Sequence, residues 1–240
     1  MEPAETIRSA VTAVSLLRLQ TTASPTLLRA VRKIKLFQAQ RFRATYADLL
    51  VSEDYGRATQ FFLEELYSDK DFAQRDAQFA KIAGALQTLF PKQVVQTAVT
   101  LAQLHRLTEQ LDHEMGIAVL LASDADEVSA YVQAWNTVGR RNDRGLQLKT
   151  VLTVGLELER LTRTPGLRLM LKMMRRPARA AGLGALQAFL EAGFDTFAAM
   201  SGKKQLVATF LSIIEEREDR LIQGLFSTNS VQVEKYLRQL

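Results

Sequence analysis

A chain of 240 residues with 47% hydrophobic and 24% charged residues, and no run of about eighteen apolar positions, has the composition of a soluble globular protein rather than a disordered or membrane-spanning one. The absence of cysteine excludes disulfides, thiolate metal sites and cysteine nucleophiles, and it fits a cytoplasmic setting. The net charge of +5 is modest but unevenly placed: RLMLKMMRRPAR, from Arg168 to Arg179, holds five cations and no acid, and RAVRKIKLFQAQRFR, from Arg29 to Arg43, holds six.

The opening MEPAETIRSAVTAVSLLRLQ places Glu2 and Glu5 before a mildly apolar stretch broken by Arg8 and Arg18. This is unlike a secretory signal and reads as a first helix over 4–21. Ser24 before Pro25 has the form of an N-cap followed by proline at the first helical position, which predicts a helix over 25–50. Further helices are expected over 53–67 and 70–89, with Ser68 and Asp71 offering acceptors to the free amides of the second. After Pro91 the periodicity predicts 92–121, 125–139, 144–163, 166–176, 180–200, 203–224 and 230–239. Leu, Ala, Gln, Arg and Glu dominate and β-branched runs are short, so the expected fold is an all-α bundle of about ten helices. GRRNDRG at 139–145 is the best turn-like linker. The expectation is a single compact domain over 1–240, subdivided into an N-terminal half (1–139) and a C-terminal half (146–240). The phrases ATQFFLEELY (58–67) and ALQAFLEAGF (185–194) share a Gln, aromatic, Leu, Glu pattern, which fits either two pseudo-repeated helical halves or chance recurrence.

FFLEELYSDKDFAQRD (61–76), together with GLGALQAFLEAGFDTFAAMSG (182–202), resembles an all-helical bacterial family of uncharacterised proteins. The resemblance implies a helical domain over most of the chain and transfers no activity, substrate or functional residue.

The two histidines lie in LHRLTEQLDHEMG (104–116). On a helix, His105 and His113 stand roughly 80° and about 12 Å apart, so they cannot hold one ion together. His105, Glu109 and Asp112 follow one edge of that helix and form a candidate metal site that needs further ligands from elsewhere. His105 beside a leucine-rich face is also a candidate axial ligand for haem. The alternative is a structural histidine closing a packed seam. Asp76 falls on the same face as Phe72, Phe79, Ala83, Leu86 and Phe90, where a carboxylate needs a partner. It reads either as an acid or base in a pocket or as a buried ion pair with a cation from another helix. Arg168, Lys172, Arg175 and Arg176 cover an arc of about 100° on a short helix whose remainder is Leu and Met. That pattern suits a docking surface for a protein partner, an anionic membrane surface, or an ordinary solvated face.

No phosphate-binding glycine loop, Gly-x-Ser-x-Gly elbow or HExxH motif is present, and the basic stretches lack the interleaved aromatics of a nucleic-acid surface. The expected function is therefore a non-catalytic binding or regulatory protein acting on a protein partner or a second copy. It would dock through Arg168, Lys172, Arg175 and Arg176, with the carboxylates of 109–127 facing another surface. The alternatives are a haem- or metal-binding sensor using His105 and an enzyme using Asp76.

Overall fold

A computed structural model describes residues 1–65, 70, 72–122, 126–202, 205–227 and 230–239. Ser68 and Asp71, expected to cap a helix, lie outside them. The described residues form helices only: α1 (Pro3–Thr22), α2 (Pro25–Thr45), α3 (Ala47–Leu50), α4 (Gly56–Glu65), α5 (Ala73–Leu89), α6 (Lys92–Leu121), α7 (Glu127–Val138), α8 (Arg141–Thr162), α9 (Leu167–Met173), α10 (Arg175–Ala180), α11 (Gly184–Ser201), α12 (Leu206–Leu225) and α13 (Val231–Arg238). None of the helices searched is long and apolar enough to cross a membrane.

Local chemistry sets several boundaries. The Ser24 hydroxyl accepts from the Leu27 amide and Pro25 begins α2, as the sequence predicts. The predicted helix 25–50 is interrupted at Tyr46, whose backbone leaves helical geometry while its side chain is fully buried. The predicted helix 166–176 is divided at Met174, and the second piece runs on through Pro177 to Ala180. Pro177 is tolerated there because the first amides of a helix have no intrahelical partner to lose. The predicted linker 139–145 shrinks to Gly139 and Arg140. Gly139 takes a φ of 75°, and Arg140 is held by Glu114 and Asp143, so α8 starts at Arg141 rather than 144.

The thirty residues of α6 span about 45 Å and form the spine of the molecule. Helices α1, α2, α7 and α8 pack directly on it; α5 lies against α1, and α11 and α12 lie behind α8. Two glycines permit close crossings. A Cβ on Gly116 of α6 would stand 2.4 Å from Val31 Cγ2 of α2, and one on Gly155 of α8 would stand 2.7 Å from Leu211 Cδ2 of α12. Apolar side chains gather in separate clusters. Ile7, Ala83 and Val99 join α1, α5 and α6; Phe42, Phe62, Phe197 and Phe210 join α2, α4, α11 and α12. Ile34, Met115, Trp135 and Leu221 form another, so core clusters draw on both sides of the expected division at 139. The two phrases that echo each other in sequence also meet, with the Phe61 and Phe189 rings stacked at 6.0 Å.

Gly116→Ala forces Val31 aside at the α2–α6 crossing and is expected to destabilise the fold by about 1–3 kcal/mol, read from urea unfolding midpoints.

Candidate functional site: a buried charge seam along an elongated cavity

Between the apolar clusters the inner helices carry ionisable residues at core positions. On α1, Arg18 continues the stripe Ile7, Val11, Val14, Thr21. On α12, Glu218 sits among Phe210, Leu211, Ile214, Leu221 and Ile222. Arg41 of α2, Asp76 of α5, Glu109 and Asp112 of α6 and Arg144 of α8 are placed the same way, all at most 8% exposed. An isolated charge in such a position is strongly unfavourable, and here each meets polar or opposite charge.

The seam begins where α1, α5 and α6 meet. Arg18 Nη1 donates to Asp76 Oδ2 at 2.8 Å, and its Nη2 donates to Glu109 Oε1 at 3.2 Å. His105 Nε2–H donates to Asp76 Oδ2, also at 2.8 Å. Lys35 of α2 reaches Glu109 at 2.9 Å and lies 4.0 Å from Asp112, which accepts from Gln38 at 3.2 Å. Further along, Arg41 forms a buried pair with Glu218, whose Oε1 also accepts from the Tyr46 hydroxyl at 2.9 Å. The Arg144 guanidinium lies 4.0 Å over the Trp135 ring and donates to Gln147. Arg75 is separate from the Asp76 pair: it binds Glu65 at 2.7 Å and lies over the rings of Phe72 and Phe189.

These contacts shift the carboxyl groups in opposite directions. Burial pushes Asp76 up, but the His105 hydrogen bond and the nearby Arg18 outweigh it and hold its pKa below the usual range. Burial likewise opposes ionisation of Glu109, and Lys35 and Arg18 together hold it low. At Asp112 burial dominates and raises the pKa, despite the cations Lys35 and Arg144.

The seam borders a cavity of about 230 Å³. Its wall follows α6 from Val94 to Asp112, a length of about 27 Å. One end is apolar, formed by Ile82, Leu86, Phe90, Leu161, Leu167 and Phe194. The other is polar, with Lys35, Arg41, Asp112, Arg144, Glu218 and Trp135. Trp135 is 6% exposed, and its buried Nε1–H has no hydrogen-bond acceptor among the described residues.

The sequence-predicted residues divide accordingly. Asp76 pairs with a cation from another helix, and it also lines the cavity, as does His105. Glu109 and Asp112, expected on an outward carboxylate face, are buried and engaged by Lys35, Arg18 and Gln38; Asp124 of that expected face lies outside the described residues. His105 is engaged by Asp76, and Glu109 and Asp112 share Lys35, with Arg18 and Gln38 completing their contacts; no group of three metal-ligating side chains occurs among the described residues searched. A haem iron would need the His105 nitrogen that Asp76 now engages, if Nε2 were the axial ligand. His113 stands apart, 2.8 Å from the Thr21 hydroxyl. Arg168 pairs with Asp195 and Arg175 with Glu191, both at the surface. Lys35 and Arg41, counted in the cationic stretch 29–43, turn inward instead of forming a free basic surface.

Glu218→Gln removes the anion from a buried pair and is expected to cost about 3–5 kcal/mol, whereas Arg41→Met with Glu218→Leu recovers most of that loss in urea unfolding. The carboxyl groups give a second test. Asp76 and Glu109 contribute stability above the ordinary carboxylate range near 4, and this is lost as pH falls through their lowered folded pKa values. Asp112 has the opposite sign: its contribution declines as pH rises from the unfolded value through the raised folded one. Asp112→Asn is therefore expected to be at least as stable as the parent at neutral pH, with no gain at acid pH, in unfolding midpoints across pH.

No curated protein and no solved structure matches this chain. Residues 17–232, which carry the whole charge seam from Arg18 to Glu218, match a family described as a domain of unknown function (DUF8198), and the chain belongs to that family.

Proposed function

We propose that this is a cytoplasmic, non-catalytic binding protein whose ligand is a slender, single-chain molecule with an uncharged carbonyl head. The observation that carries the reading is the cavity, long and apolar over most of its course, whose polar end is lined by Trp135, an indole with no hydrogen-bond acceptor among the described residues. Engineered apolar cavities of about 150 Å³ hold a benzene, so about 230 Å³ drawn out along α6 suits a chain better than a broad ring system. An indole N–H only donates, so the head must supply an acceptor oxygen. The polar end already balances Lys35, Arg41 and Arg144 against Glu109, Asp112 and Glu218. A ligand carboxylate would add an unmatched charge unless Asp112 took up a proton, which favours an ester or amide carbonyl over an acid.

The test is direct binding of a long-chain methyl ester, the matching fatty acid and the alkane of the same length. The ester is expected to bind most tightly, and affinity for the acid is expected to fall as pH rises. Trp135→Phe should weaken the ester about fivefold, one hydrogen bond of about 1 kcal/mol, while leaving the alkane unchanged. Trp135 is also a packed core residue, so the smaller ring is expected to lower stability through the space it leaves, and binding is compared with the variant shown to be folded by circular dichroism. Failure of all three compounds to bind, or equal loss for ester and alkane, would sink the reading.

A further inference from the structure

Resting on the ligand reading above, we propose that α9 and α10 form the face by which the protein docks on an anionic lipid surface to collect its ligand. The argument starts from the two sides of α9. Leu167 and Leu171 point inward and line the apolar end of the cavity. On the outer side, Arg168 and Lys172 stand one turn apart on α9 with Leu169 and Met173 in the adjacent row, and Arg176 follows at the start of α10. Leu169 is 63% and Met173 67% exposed, large values for apolar side chains. The outer wall of the cavity is thus also a surface with an apolar row beside a cationic one.

The charge left on this face is positive. Asp195 and Glu191 match Arg168 and Arg175, but Lys172, Arg176 and Arg179 form no ion pair among the described residues. Cations flanking exposed Leu and Met suit the headgroup and acyl boundary of an anionic bilayer, where the cations meet phosphate and the apolar row enters the lipid. A nucleic acid would use the cations and leave Leu169 and Met173 without a role. Even end to end, α9 and α10 would present an outer face no more than about 21 Å long and about 10 Å wide, far below the roughly 800 Å² that each side of a stable protein complex covers. A bilayer is also where single-chain apolar ligands reside. The segment joins the rest of the fold through Gly166 and Gly182, with φ of 77° and 73°, and few polar bonds secure it, among them Gln187 Nε2–H to Leu171 O and Lys81 Nζ–H to Ala181 O.

The experiment is flotation of the full chain with vesicles of phosphatidylcholine alone and with vesicles that also contain phosphatidylserine. Binding is expected only to the anionic vesicles and is expected to weaken with added salt. Lys172→Gln with Arg176→Gln should lower partitioning by about 25-fold, from about fivefold per cation, and Leu169→Asn with Met173→Asn should also reduce it. All four side chains are exposed, so an unchanged circular dichroism spectrum and unfolding midpoint should accompany both variants. Equal binding to the two kinds of vesicle, no binding, or no effect of the variants would overturn the docking proposal. Trp135→Phe, buried and remote from this face, should partition like the parent. Vesicle binding without uptake of any single-chain compound would therefore count against the ligand reading alone, and uptake without vesicle binding against docking alone.

Discussion

The arrangement of the inner helices depends on the cost of charge inside α6. Glu109 and Asp112 lie one turn apart on the longest helix, both nearly removed from solvent, and neither can remain there unmatched. Lys35 and Gln38 must therefore come from α2, and Arg18 from α1, which fixes how far each of those helices slides along the spine. Arg18 also takes Asp76, which sets the height of α5. Arg41 and Glu218 repeat the device between α2 and α12. Apolar side chains alone would tolerate shifted registers; a buried pair tolerates very little displacement.

Much of this was open to a reader of the sequence, and the part that was not has a definite cause. The bounds of α6 follow from Pro91 and the long period after it, and they agree with 92–121 as expected. Asp76 was identifiable because a carboxylate stood on an apolar stripe. The same rule, applied to Arg18 and Glu218, marks both as inward, since 7, 11, 14, 18, 21 and 207, 211, 214, 218, 222 are single helical faces. Composition pointed the other way for the stretch 29–43, where six cations suggest a surface although two of them are turned inside. Pairing itself was not legible, because the partners are 29 to 177 residues apart. The cavity was not legible either, because an empty volume depends on how many side chains from different helices fail to meet.

Division of the apolar core into clusters and the presence of a charged seam are connected. Ion pairs hold neighbouring helices at the reach of long side chains, so space remains where shorter apolar residues would have closed it. The same helices that carry the charges also line the cavity: α2 with Lys35 and Arg41, α5 with Asp76, α6 with Glu109 and Asp112, α8 with Arg144. Charge balance at its polar end and hydrocarbon along its length follow from one packing solution.

The separation of Arg41 from Glu218 bears on how the chain reaches this state. They are 177 residues apart, and Tyr46 binds the same carboxylate across 172. Contacts this far apart slow folding, because a long segment must be ordered before they form. During synthesis α2 emerges long before α12, so Arg41 and Tyr46 have no Glu218 to meet while the intervening helices are made. The early helices can gather around α6 through Glu109 and Asp112, but the α2–α12 side of the bundle stays open to water until the last fifth of the chain arrives. That interval is when the phenylalanines of α2 and α4 are most exposed to aggregation.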